Sequence, residues 1–194
     1  MLSISIPEMM PQVRPVADAI INRNVMPHSN MISVSADRTI KWRGASYVCA
    51  LGRAGITSTK REGDGATPLG CFTLRRVLYR PDREAPPDTF LAVDPIFEMD
   101  GWCDEAGDAN YNRPVVLPYP ARTEKMWRDD HAYDIVAVLG HNNQPVVHGC
   151  GSAIFLHVAT PGYTPTQGCI ALARDDLVAV LRDCDPETRL CVFA

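Results

Sequence analysis

The sequence predicts a mostly-β domain, of the sandwich or barrel type, carrying one or two helices. Three observations lead there. From Met31 onward, short alternating or β-branched runs recur with turn residues between them. Segments of helical periodicity are few and short. The chain has 194 residues, 46% hydrophobic and 22% charged, which suits one globular domain with a sizeable core, plus at most a short arm.

Residues 1–30 are rich in Pro and Met, with a helix-like patch around Val16–Ile21. They read as an N-terminal arm, and residues 31–194 as the domain. MISVS, RTIKW and SYVCAL follow as strands. Residues 52–70 are rich in Gly, Thr and charge and read as a long loop, after which LGCFTLRRVLY returns to strand. Residues 80–121 form a long connection heavy in Pro, Asp and Gly, with TFLAV as a short strand candidate. Connections of that length in compact domains are often functional. ARTEKMWRDD reads as a short helix, then YDIVAVL and SAIFLHV as strands. In RDDLVAVLRDC, Asp175 and Asp176 suit a first helical turn, and Leu177, Val180 and Leu181 supply the periodicity, predicting a helix over 174–183. TRLCVFA closes the chain as a strand.

The formal net charge of −4 leaves no basic stripe to neutralise phosphates, which argues against a nucleic-acid partner. No apolar run is long enough to span a bilayer, so no membrane partner is expected. No Lys or Arg precedes Arg14, and prolines interrupt the early apolar residues, unlike a secretory signal. A cytoplasmic location is therefore expected, or a periplasmic one if the sequence has been trimmed or is exported by another route. The seven cysteines are odd in number and scattered, so thiols rather than a disulfide framework are expected. Cys49 and Cys191, in strand-like runs, read as buried small hydrophobes.

Cys169 sits in TPTQGCIAL, a small-residue turn leading into an apolar segment. Gly168 lets the backbone approach closely or adopt an unusual φ, and backbone N–H groups there could hold an oxyanion. Alone, the Gly-Cys pair is weak evidence and reads more readily as an inert buried thiol. His157 lies 12 positions earlier, at the end of an apolar strand and before a Pro/Gly loop that leads back to Cys169. Its imidazole would lower the thiol pKa and shuttle the proton to a leaving amine. Without the cysteine, it reads as a hydrogen-bonded core histidine.

The stretch GSAIFLHVATPGYTPTQGCIAL closely resembles the active-site segment of the L,D-transpeptidase catalytic-domain family, the YkuD-like fold. KREGDGATPLGCFTL at 60–74, and YNRPVVLP with EKMWRDDHAYDIV across 111–136, resemble the same family. The resemblance implies a base at His157 and a nucleophile at Cys169, after the turn Thr166-Gln167-Gly168. Two departures stand out. Gln167 replaces the His that many members carry before the Gly-Cys pair, and Ala171 replaces an Arg, with Arg174 the nearest substitute. Substrate contacts are then expected from Thr166, Gln167 and Arg174. Arg113 and Arg122 either fork onto a substrate carboxylate or are solvated. Trp127 is a lid or core residue, and His148 a rim or structural one. Lys60, Arg61 and Asp64 read as shaping their loop.

The implied reaction is cysteine acyl transfer at the L,D bond of a peptidoglycan stem tetrapeptide or muropeptide, without cofactor or metal. With a cytoplasmic location, it reads as a recycling L,D-carboxypeptidase that releases the terminal D-Ala. The alternative is an L,D-transpeptidase of the cell wall, and carbapenems are implied as inhibitors. Two other classes remain: a zinc site from His148, Cys150, His157 and Cys169, and an inactive binder of wall fragments.

Overall fold

Fourteen short strands and one helix succeed one another in the computed structural model, which describes residues 30–194. The arm expected over residues 1–30, with its helix-like patch, falls outside the described residues save for Asn30. A two-residue hairpin joins β2 (Thr39–Trp42) to β3 (Ala45–Ala50). Its turn residues Arg43 and Gly44 both have positive φ, the conformation that matches strand twist in a two-residue hairpin. β1 (Met31–Ser35) pairs antiparallel with β2 on one side and parallel with the C-terminal β14 (Arg189–Val192) on the other.

The main sheet continues from β14 to β6 (Gly70–Tyr79), and from β3 to β13 (Ile170–Leu172), then β12 (Phe155–Val158), then β11 (Ile135–Leu139). Because β11 also pairs with β6, the sheet closes on itself as a barrel. Closure removes the exposed edges that an open sheet would present. β7 (Val93–Pro95) hangs from β6 as a parallel appendage.

The alternation of side chains along β11 and β12 positions everything that follows. Ile135, Ala137 and Leu139 join Leu156 and Val158 in the larger core cluster, together with Ile32, Ile40, Leu74 and Leu190. Val136, Val138 and Phe155 face the other way, into a second cluster with Trp102, Met126 and Tyr133. β11 is buried on both faces, which is why IVAVL reads as an unbroken apolar run rather than an alternating one. The second cluster exists because residues 80–134 fold back over the β11–β12 wall. Within them β8 (Asp100–Cys103) pairs with β9 (Pro114–Val116) and β10 (Thr123–Lys125) as a small separate sheet. The helix α1 (Arg174–Leu181) packs Leu177, Val180 and Leu181 into the larger cluster.

Four expectations are corrected. ARTEKMWRDD is not a helix. Thr123 to Lys125 form β10, drawn into strand by pairing with Cys103, Trp102 and Gly101, and tertiary pairing outweighs a modest helical propensity. α1 is the one helix among the described residues, and it ends at Leu181 rather than 183. The loop at 52–70 contains two short parallel strands, β4 (Ile56–Thr57) and β5 (Thr67–Pro68). TFLAV is not a strand as a unit, and β7 begins at its last residue.

A fifth correction concerns the cysteines. Cys71 on β6 and Cys191 on β14 are directly opposed in the ladder and joined by a disulfide across 120 residues of sequence. Such a pairing depends on strand register, which Cys spacing does not reveal. Cys49, Cys103, Cys169 and Cys184 are buried thiols, and Cys150 is an exposed one.

Candidate active site

β12 and β13 run parallel, with His157 opposite Ala171 and Leu156 opposite Ile170. Cys169 immediately precedes β13 and therefore lies opposite Phe155. His157, two residues beyond Phe155, projects on the same side of the wall as the sulfur, because strand side chains alternate. Both line one cavity of about 490 Å³, between the barrel wall and the excursion at 104–133. That volume is in the range of small-ligand sites.

The sulfur is held on both sides by backbone. The Phe155 N–H donates to Cys169 Sγ at 3.4 Å, and the thiol donates to the Ala153 carbonyl at 3.2 Å. Ala153 has φ +50°, a left-handed conformation that costs a non-glycine residue about 1–3 kcal/mol. Asn112 stabilises it. The Asn112 Oδ1 accepts from the Ala153 N–H and the Trp102 indole, while its amide nitrogen donates to the carbonyls of His141 and Asn142. The sequence reading singled out Arg113 in YNRPV and passed over its neighbour. The available signal was a short amide beside an aromatic and a proline, too common to be informative.

The turn before Cys169 is closed by Thr166. Its hydroxyl donates to the Cys169 carbonyl at 2.6 Å and accepts from the Gly168 N–H at 3.1 Å. That bond occupies the Gly168 N–H, so it is not the donor for an oxyanion. Gly168 has φ +137°, and a Cβ there would lie 2.8 Å from the Ala66 carbonyl oxygen. Only glycine fits where the turn presses against the 52–70 loop.

Electrostatics give the resting protonation state. Cys169 is 8% exposed, and burial pushes its thiol up to about 12. His157 is 7% exposed, and burial pushes its imidazole down to about 4, against the pull of the Val158 and Ala132 carbonyls. The expected lowering of the thiol pKa is therefore reversed: a neutral imidazole brings no positive charge, and desolvation dominates. Nδ1 of His157 lies 2.9 Å from the Val158 carbonyl. A carbonyl only accepts, so Nδ1 carries the proton and Nε2 is left as the base. Tyr133 packs edge-on against His157, with ring centroids 5.4 Å apart, and seals it from water.

Thr166 and Gln167 line the same cavity, and so does Arg122. Four predicted residues are not brought there. Arg113 is exposed in the β8–β9 turn. Arg174 is bound to Glu84 and Asp175 at the start of α1. Trp127 lies beneath the Arg80 guanidinium, 3.5 Å from ring centroid to carbon, and borders a separate groove. His148 stacks on Tyr111 and meets the Ala106 carbonyl. The four residues of the zinc reading are not assembled, and no group of three His, Cys, Asp or Glu among the described residues is placed to hold a metal ion.

The sequence reading missed most of the charged wall. Lys60, Glu62, Asp104, Glu124, Arg128 and Asp130 all border the cavity. Their side chains come from segments up to 109 positions from Cys169, so no local pattern marks them.

A neutral acid and a neutral base on adjacent strands can pass one proton between them when a carbonyl arrives. This is the arrangement a cysteine acyl transferase needs. The family model for the YkuD L,D-transpeptidase catalytic domain matches residues 27–192 of the chain. No curated protein matches it.

Proposed function

Because the chain belongs to the L,D-transpeptidase catalytic domain family, we propose that Cys169 and His157 carry out cysteine acyl transfer at the L,D bond of a peptidoglycan stem tetrapeptide. The observation that supports this most directly is their placement on neighbouring strands, facing one cavity, with Nε2 of His157 unprotonated. The substrate displaces the thiol from the Ala153 carbonyl, and the proton passes from Sγ to Nε2. Sulfur bonds to the carbonyl carbon of the L centre. The C–N bond breaks, and Nε2 returns the proton to the departing D-residue amine. A thioester remains on Cys169.

Water then attacks, giving up a proton to Nε2, and the thiol is regenerated with a tripeptide carboxylate as product. This is the L,D-carboxypeptidase reading. It is supported by the size of the cavity at Cys169, about 490 Å³, which is in the range of a site for one small ligand. Transpeptidation is the second reading, and the Cys71–Cys191 disulfide favours it. Disulfides persist in oxidising compartments such as the periplasm, where acceptor stems are dense. No helix among the described residues is long and apolar enough to cross a membrane.

Mass spectrometry of products from a disaccharide tetrapeptide, with and without millimolar D-amino acid, tests both readings. Tripeptide as the main early product in both conditions supports trimming. Exchanged or cross-linked products support transpeptidation. No turnover, or turnover undiminished in Cys169→Ala, defeats the acyl-transfer assignment.

A further inference from the structure

The family resemblance leaves a gap, since Ala171 stands where an Arg is common and Arg174 lies elsewhere, bound to Glu84. Three other cations border the cavity. Arg128 is engaged by both oxygens of Asp130 and by Glu124. Arg122 is more than half exposed, where water screens its charge, and it reaches back to Asp104.

Lys60 differs from both. Its side chain is 7% exposed, and its ammonium pairs with Asp64. Among the described residues, Asp64 is its one hydrogen-bond partner, and an ammonium has three donors. Asp64 is fixed in turn by the N–H groups of Arg61 and Ala66. Although burial works against its charge, these bonds and Lys60 hold its carboxyl below the ordinary range.

Two glycines make room for the lysine. A Cβ on Gly151 would lie 2.9 Å from Lys60 Cγ, and one on Gly168 would lie 3.3 Å from Lys60 Nζ. The stem is thus clamped, and the ammonium sits over the residue preceding the nucleophile. A one-residue leaving group carries its own carboxylate about 4 Å from the scissile carbon, by standard bond lengths. With that carbon at the sulfur, a carboxylate turned toward Gly168 comes within reach of Lys60, which lines the same cavity.

We propose that Lys60 grips the terminal carboxylate of the departing residue, making the site selective for peptide ends that carry a free carboxylate. The proposal rests on the acyl-transfer reading for the direction of the substrate. A buried, pre-positioned ammonium loses little freedom on pairing, and a charge-assisted bond there outweighs one at the surface.

The test uses the full chain with Cys169→Ala, so that binding is read without turnover. Calorimetry compares a disaccharide tetrapeptide with the same molecule bearing a C-terminal carboxamide. The acid is expected to bind roughly tenfold or more tighter than the amide. Adding Lys60→Met with Asp64→Asn, which removes both members of the pair together, should bring the two affinities within about twofold while leaving the amide's affinity in place. Lys60→Arg should keep part of the preference. Equal binding of acid and amide to the Cys169→Ala protein, binding of neither, or equal loss of both in the double variant overturns the proposal. Turnover of the native protein is measured alongside. Binding with discrimination but no turnover defeats acyl transfer and leaves the Lys60 assignment intact; turnover without discrimination does the reverse.

Discussion

At Cys169 the dominant physical effect is desolvation, and it sets two expectations. With the thiol pushed up to about 12 and His157 down to about 4, the pair is neutral over a wide pH range. kcat/KM for a stem peptide should hold its plateau through pH 6 and fall on an acid limb near pH 4, where Nε2 takes a proton from solvent. A limb near pH 6.5 would place His157 in water and contradict its burial. The same shift affects stability. The folded state resists a proton that the unfolded chain accepts below about 6.5, so stability is lost as pH falls from there toward 4. The loss approaches about 3 kcal/mol, and it should be absent in His157→Ala. Chemical denaturation at pH 7 and pH 4.5, for both proteins, reads it directly. Labelling follows as well: at neutral pH a small alkylating agent should modify exposed Cys150 well before Cys169. Fast labelling of Cys169 in the free protein would mean an ion pair that the burial does not permit.

The elements around the nucleophile are held by a few long-range contacts. Gly168→Ala adds a Cβ that meets the Ala66 carbonyl and a side chain at φ +137°. It should cost about 1–3 kcal/mol and nearly all turnover, because the turn carrying Cys169 must shift. Asn112→Ala removes four hydrogen bonds around Ala153, one of them from the buried Trp102 indole. Its expected signature is a lower melting temperature, with turnover reduced more than binding, since the sulfur rests on the Ala153 carbonyl. Unchanged turnover would show that this carbonyl does not place the thiol. The disulfide bridges β6 and β14 over 120 residues, so Cys191→Ser or a reductant should lower stability by roughly 2–5 kcal/mol. Melting scans with and without reductant measure this. A melting point indifferent to reductant would remove the argument for an oxidising compartment.

At the scale of the molecule, the closed barrel supplies a rigid wall, and residues 80–134 supply the cover. One prediction belongs here. A carbapenem that enters the cavity should acylate a single residue, Cys169, and intact-protein mass spectrometry should show one adduct that Cys169→Ser lacks. An adduct retained in that variant would point to another thiol, Cys150 being the exposed one. On the acyl-transfer reading, water would have to reach the thioester past the same charged wall that admits the peptide, which would make the balance between trimming and cross-linking a property of this cover rather than of the Cys–His pair.

Most strands of the barrel wall were readable because period-two alternation and apolar runs are local properties of the chain, whereas their order was not. The pairing of His157 with Cys169 was readable too: both flank one short connection, and adjacent strands bring its ends together. The motif resemblance named the family from three ordered segments. The helix expected in ARTEKMWRDD failed because its residues form strand only against β8, a partner about twenty positions away. The direction of the thiol shift, the burial of Lys60, the service of Asn112 and the Cys71–Cys191 bond all depend on which distant segments cover or face a residue. Desolvation is set by everything within a few ångströms, whatever its place in the chain, and only the folded molecule assembles those neighbours. The sequence by itself determined most of the strands and the turn that sets Cys169 beside His157; the tertiary structure decided the charge states of that pair and which cations border its cavity.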